Sequence, residues 1–270
     1  MLTQKPGIPE IREFTKNSAP LIHCITNPIS IHDCANMILA VGARPIMAEH
    51  PEEVEEITEV SSALMLNLGN ITDARIISMQ RALSTANRKN IPVLLDLVGV
   101  TCSQLRRSFA KQLLSQGVFS VIKGNISEIL AAAELPYHGT GIDAGSQDAV
   151  SVENQAWYCE TARHLAKHLN CTVMATGKKD LIADAENAFL VSNGHAALSG
   201  VTGTGCMVGA LTAAYLPGSK TIFTKSGIFE TSSIIPDKTK VSYGTAAALL
   251  AAVAMGISGE LAAEISKGPG

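Results

Sequence analysis

Short, almost unbroken apolar runs alternate with stretches of helical periodicity along most of this chain, and that alternation restricts the fold more than any other feature. The runs occupy residues 21–26, 44–48, 63–68, 92–98, 119–123 and 171–175. A strand with little polar sequence is buried on both faces, and strands separated by helices pair in parallel because each crossover returns the chain. The expectation is an α/β architecture, a largely parallel central sheet between two helical layers. Helix starts support it. Ser30 with Asp33 and Asn125 with Glu128 have capping-box spacing, Pro51 can open a first turn, and Ser151 precedes a helical run ending near His168.

Beyond residue 175 the pattern changes. Residues 181–185 and 188–192 read as a short hairpin at the sheet edge, and two Ala-rich helices, 206–216 and 242–265, close the chain. Between these helices lies a polar connection, 217–241, long for a compact domain, and a second candidate loop covers 136–150. No repeat or linker divides the chain, so residues 1–270 are read as one domain.

Composition excludes several classes. With 46% hydrophobic residues in 270, disorder is excluded and a deep core is available. A net charge of -3 and 4% aromatic residues offer no general attraction for nucleic acid or anionic lipid and no base-stacking surface. The first 16 residues carry charges and no apolar core, so no signal peptide is expected and a cytoplasmic location is. The longest apolar stretch, 246–257, is shorter than the roughly 20 residues that cross a bilayer and reads as a buried helix. Six dispersed cysteines without a C-x-x-C pair fit reduced thiols.

The run Gly203, Thr204, Gly205, Cys206, with Gly209 beyond it, is the richest in chemistry. Its glycines let backbone N–H groups approach a ligand, and the helix it opens adds unpaired donors and a positive dipole end, which together make an anion hole at Gly203, Thr204 and Gly205. A tight packing turn with no ligand is the competing reading. Neither a Walker loop around Thr176, Gly177, Lys178 and Lys179 nor a dinucleotide fingerprint at Gly203 has the required spacing. Cys206, at the start of that helix, is placed where the dipole favours a thiolate and hence a base; a small buried filler is the alternative.

Lys123 follows a buried strand and can pair with phosphate. Asn125 and Glu128 can orient a hydrated magnesium ion or merely cap a helix, and Asp96, ending another apolar strand, calls for a metal, a donor or a turn. His164 and His168 share a helix face but lack a third ligand, so no metal is placed there.

Several separated motifs, in order, carry a resemblance that runs from about residue 20 to 270. They are Ile25, Thr26, Asn27; Gly42 to Ala48 with Met47; Leu66, Asn67, Leu68, Gly69, Asn70; Pro92 to Asp96; Lys123 to Glu128; Gly203 to Cys206; and the terminal Gly268, Pro269, Gly270. In these the chain resembles the hydroxyethylthiazole kinase family of the ribokinase-like superfamily. The resemblance implies a layered αβα fold and transfer of the γ-phosphoryl group of ATP, with Mg2+, to the alcohol of 4-methyl-5-(2-hydroxyethyl)thiazole for thiamine synthesis or salvage. It also implies that Met47, Gly203 and Asn27 serve the thiazole alcohol, Lys123 and Thr176 serve ATP, Asp96 and Glu128 serve the metal, and Cys206 accepts the alcohol proton. Members are homotrimers with sites between subunits, so Met47 would face Gly203 and Cys206 of a neighbour.

The chain departs from the family pattern after Asp96, where Leu97 replaces the usual Pro, and in the long 217–241 segment. Competing functions are a hydroxymethylpyrimidine or pyridoxal-type kinase, an ATP-dependent hydro-lyase of the same superfamily, and a non-catalytic nucleotide or thiazole sensor. Met47 speaks for a thiazole, because a thioether against a ring offers no hydrogen bond to a pyrimidine amine.

Overall fold

The computed structural model describes residues 7–139, 145, 150–226, 229–230 and 240–266. Among the described residues, eight strands form one sheet, in the order β2-β1-β3-β4-β5-β6-β7-β8. They are β1 (Leu21–Ile25), β2 (Arg44–Ile46), β3 (Ala63–Asn67), β4 (Val93–Asp96), β5 (Val121–Asn125), β6 (Thr172–Thr176), β7 (Asp180–Ala183) and β8 (Ala188–Val191). Strands β1 to β6 pair in parallel, and β7 and β8 add the antiparallel edge hairpin. The expected α/β sheet is therefore present.

Side-chain alternation assigns each strand residue to a layer. Ile22, Cys24, Met65, Leu94, Val121 and Met174 face a core shared with α1 (Ile8–Ser18), α2 (Ile31–Ala40), α8 (Thr204–Ser226) and α9 (Tyr243–Ile265). Ile25, Leu66, Leu95, Ile122, Val173 and Leu181 face the opposite core, built with α3 (Val54–Glu59), α4 (Asp73–Arg88), α5 (Gln104–Gln116), α6 (Ile126–Ala132) and α7 (Gln155–Leu169). Strand β1 sits between β2 and β3, so the chain reverses its direction of travel across the sheet there. In open α/β sheets the crevice for ligands opens outside the carboxyl ends of the strands at such a reversal.

Several element boundaries differ from expectation, each for a local reason. Ser30 precedes α2 but its side chain makes no cap; it turns instead toward Thr26 and the Asn27 carbonyl. Pro51 lies in a turn and α3 begins at Val54. Ser151 donates its N–H to Asn154, the residue that precedes α7. The largest correction concerns 217–241. Helix α8 does not end at Leu216 but continues through Pro217 to Ser226. Packing offsets the lost backbone bond: Gly218 lies against Phe14, Ile11 and Thr15 of α1, and Lys220 donates to Asn90. Beyond it the described residues include a two-residue ladder, β9 (Phe229–Glu230) with β10 (Lys240–Val241). Most of 136–150 and the terminal Gly268, Pro269 and Gly270 lie outside the described residues.

Helix α9 is capped by Ser242, whose hydroxyl accepts from the Thr245 N–H at 3.1 Å. It is longer than the apolar run that marks it in the sequence, and its 23 residues are long and apolar enough to cross a membrane by length and composition. Its residues 246–252 are instead buried in the core against α8 and the sheet.

Candidate functional site

Four strands deliver polar side chains to one place from otherwise apolar sequence. Asn27 lies two residues beyond β1, Asn67 ends β3, Asp96 ends β4, and Lys123 lies within β5; all are buried. Asn67 and Asp96 are register partners, as are Asp96 and Lys123. Parallel pairing thus places an amide, a carboxylate and an ammonium side by side.

Lys123 Nζ donates to both Asp96 oxygens, at 3.2 and 3.1 Å. Burial opposes charge on Lys123, but Asp96 outweighs it and holds the ammonium above its ordinary range. Asp96 also accepts from the Val98 N–H at 3.2 Å and from Asn67 Nδ2 at 3.1 Å, so it meets donors and closes a turn at once. Glu128 forms the capping box with Asn125, its Oε2 accepting the Asn125 N–H at 2.7 Å and its Oε1 the Gly99 N–H at 2.6 Å. Burial, with the nearby Asp96 charge, pushes Glu128 up to about 7 against the pull of Lys123 and these two N–H donors.

The N-terminus of α8 closes the site from the other layer. A Cβ on Gly205 would stand 3.3 Å from Lys123 Nζ, and one on Gly209 3.4 Å from Asp96 Oδ2, so the first turns of the helix lie directly on the ion pair. Gly203 has φ +80, a conformation that favours glycine, and its position faces Ser30 and Asp33 at the start of α2. Two helix N-termini therefore converge there, each with first-turn N–H groups that lack intrahelical acceptors. Thr204 donates its hydroxyl to the Leu198 carbonyl at 3.2 Å. Cys206 is buried, and its Sγ receives Asn27 Nδ2 and Asn67 Nδ2, both at 3.3 Å.

Asn27, Asp96, Lys123, Glu128, Gly203, Gly205 and Cys206 thus come together as one group. Thr176 ends β6, beside Asn125 in the ladder, and its hydroxyl donates to the Gly124 carbonyl at 3.2 Å. Met47 follows edge strand β2, which pairs with β1, and it packs against the core that contains Cys206. The segment after it is firmly held: buried His23 donates from Nε2 to the Ala48 carbonyl at 2.8 Å, and Arg75 grips Glu49 at 2.9 and 2.7 Å. A carbonyl can only accept, which assigns the proton to Nε2. The sequence assigns no role to His23, Arg75 or Asn67, the last named only within a motif of the resemblance; for Asn67 a further signal is the strand-end position it shares with Asp96.

The architecture defines a class first. A ribokinase-like superfamily protein from Enterococcus faecalis superposes with a TM-score of 0.56 at 10% identity, over 97% of this chain and 89% of that one, which shows the shared fold. Residues 11–266 match the hydroxyethylthiazole kinase family. A curated relative named hydroxyethylthiazole kinase 2, from Clostridium botulinum, is 44% identical over 261 residues, 97% of this chain and 89% of the relative. The solved structure of a hydroxyethylthiazole kinase protein from Pyrococcus horikoshii superposes with a TM-score of 0.79 at 32% identity, covering 97% of this chain and 88% of that one. This chain belongs to the hydroxyethylthiazole kinase family, and it is a kinase.

Proposed function

We propose that the chain transfers the γ-phosphoryl group of ATP to the primary alcohol of 4-methyl-5-(2-hydroxyethyl)thiazole, yielding the phosphate used in thiamine synthesis or salvage. The observation that carries this reading is the seating of the α8 N-terminus on a buried lysine, with Cys206 Sγ beside it as a hydrogen-bond acceptor. The alcohol oxygen bonds to the γ-phosphorus and the bond to the β,γ-bridging oxygen breaks, its electron pair leaving with ADP. The hydroxyl proton passes to Cys206 as the thiolate.

Phosphoryl transfer proceeds through a loose transition state, so charge stabilisation outweighs the base. The N–H groups of Gly203, Thr204 and Gly205 and the Lys123 ammonium supply it. Lys123 and Thr176 serve the ATP phosphates from adjacent strand ends.

Glu128 and Asp96 are the buried carboxylates placed for a divalent cation: each Glu128 oxygen keeps a second lone pair after its backbone bond, whereas Asp96, whose oxygens take Lys123, Asn67 and Val98, would give up Lys123 to ligate it. These two residues would hold Mg2+, which supplies neutralisation of phosphate charge when bound.

Met47, Gly203 and Asn27 contact the thiazole in this reading. The exposed apolar side chains of Ile29 and Val201, beside Asn27 and Gly203, support a homotrimer with sites between subunits. Substrate-dependent ADP formation with Mg-ATP, followed by the mass of the product, tests the reading.

A further inference from the structure

Two backbone N–H groups decide which way two buried amides face. Gly69 donates its N–H to Asn67 Oδ1 at 2.9 Å, and Ile29 donates its N–H to Asn27 Oδ1 at 3.1 Å. A backbone N–H can only donate, so each contact fixes the amide oxygen on its own side and turns the NH2 group away from it. Asn67 then gives one amide hydrogen to Asp96 Oδ2 at 3.1 Å and the other to Cys206 Sγ at 3.3 Å. Asn27 gives one to Asn67 Oδ1 at 3.0 Å and the other to the same sulfur at 3.3 Å. All four amide hydrogens are accounted for, and two converge on one sulfur.

The arrangement has little freedom. Asn67 is fully buried in the last position of β3. A Cβ at position 69 would lie 2.9 Å from Asn27 Cβ and 3.0 Å from Asn67 Oδ1, so only glycine fits between the two amides. The sulfur is an acceptor toward both amides, and a thiol hydrogen on it has to point away from them.

We propose that Asn67 is a positioning residue for phosphoryl transfer: it fixes Cys206 Sγ as an acceptor and ties it to the Asp96 and Lys123 pair. This rests on the kinase reading above, in which Cys206 receives the alcohol proton. Asn67 acts through the sulfur, so its removal lowers turnover while ATP affinity holds.

A double-mutant cycle on substrate-dependent ADP formation tests it. Asn67→Ala is expected to lower kcat by roughly 10- to 100-fold, with KM for ATP within about twofold, because the sulfur loses one of its two amide donors and its tie to Asp96. In a Cys206→Ala background the same change is expected to cost less than about threefold, since the group it serves is already gone. Equal losses in the two backgrounds would mean that Asn67 only supports the scaffold, and would overturn the inference. If Asn67→Ala gives no cooperative melt, Asn67→Ser is run through the same cycle, its single hydroxyl hydrogen serving one acceptor at a time. A wild-type protein making no substrate-dependent ADP would overturn the kinase reading and this inference with it, whereas an active wild type with equal losses overturns the inference alone.

Discussion

Asp96 and Lys123 stand opposite each other on neighbouring parallel strands and close a buried ion pair, Nζ lying 3.2 Å from Oδ1 and 3.1 Å from Oδ2. Such a pair offsets its own desolvation only while both partners remain. Lys123→Met leaves Asp96 buried beneath the α8 N-terminus with amide donors alone. The expected loss is about 3–5 kcal/mol, read by urea unfolding at pH 7. An unpaired buried carboxylate binds a proton in the folded state more readily than in the unfolded one, so the variant should recover stability as the pH is lowered. Equal stability of variant and wild type at pH 7 would mean that the pair contributes nothing to the fold.

Glu128 sets a pH dependence of its own. Burial pushes its carboxyl up to about 7 from an ordinary 4.5, so between these values the folded protein binds more protons than the unfolded one. Stability should therefore fall as pH rises from 4.5 to about 7 and level off above, at a slope of at most about 1.4 kcal/mol per pH unit from this group. Asp180, raised to about 6 by burial, adds in the same direction over the lower part of that window. Unfolding in denaturant without magnesium measures the slope. Glu128→Gln should flatten it, and an unchanged slope would assign the titration elsewhere.

The α8 N-terminus ranks its residues. A bulky side chain at Gly203 meets a positive φ and the start of α2, and Gly203→Val is expected to abolish turnover. Cys206→Ala should lose only part of it, because charge stabilisation outweighs the base, and Cys206→Asp, which keeps an acceptor for both amides, should remain active. A Cys206→Ala variant as inactive as Gly203→Val would reverse this ranking.

How far the sequence reveals the molecule depends on what each signal carries. Burial on both faces makes β1, β3, β4, β5 and β6 legible, because their residues are apolar whichever layer they face. Asp96 and Lys123 stand out for a related reason: charge at the end of an apolar strand is costly without a partner. Asn67 occupies the same kind of position but carries no charge, so its cost is smaller and its role emerges only when β1, β3 and α8 are brought together. Pro217 shows a tertiary override. A proline normally ends a helix, and only the contacts of Gly218 with α1 and of Lys220 with Asn90 reveal why α8 continues. The place of Met47, just after an edge strand that pairs with β1, likewise depends on strand order, which sequence spacing does not encode.

The subunit arrangement is testable by complementation. If Met47 of one protomer serves Gly203 and Cys206 of the next, an inactive variant at Met47 and an inactive Gly203→Val variant should regain part of the wild-type rate when unfolded together and refolded as a mixture. Light scattering should report a trimer before and after mixing. A monomer, or a mixture as inactive as its components, would place each site within one chain.

The reaction itself is tested most directly by ADP release. With Mg-ATP, the wild-type protein should form ADP in the presence of hydroxyethylthiazole and neither with hydroxymethylpyrimidine nor without alcohol, and the product mass should be that of the thiazole phosphate ester. ADP formation with the pyrimidine alone, or inorganic phosphate without a stable ester, would contradict the account.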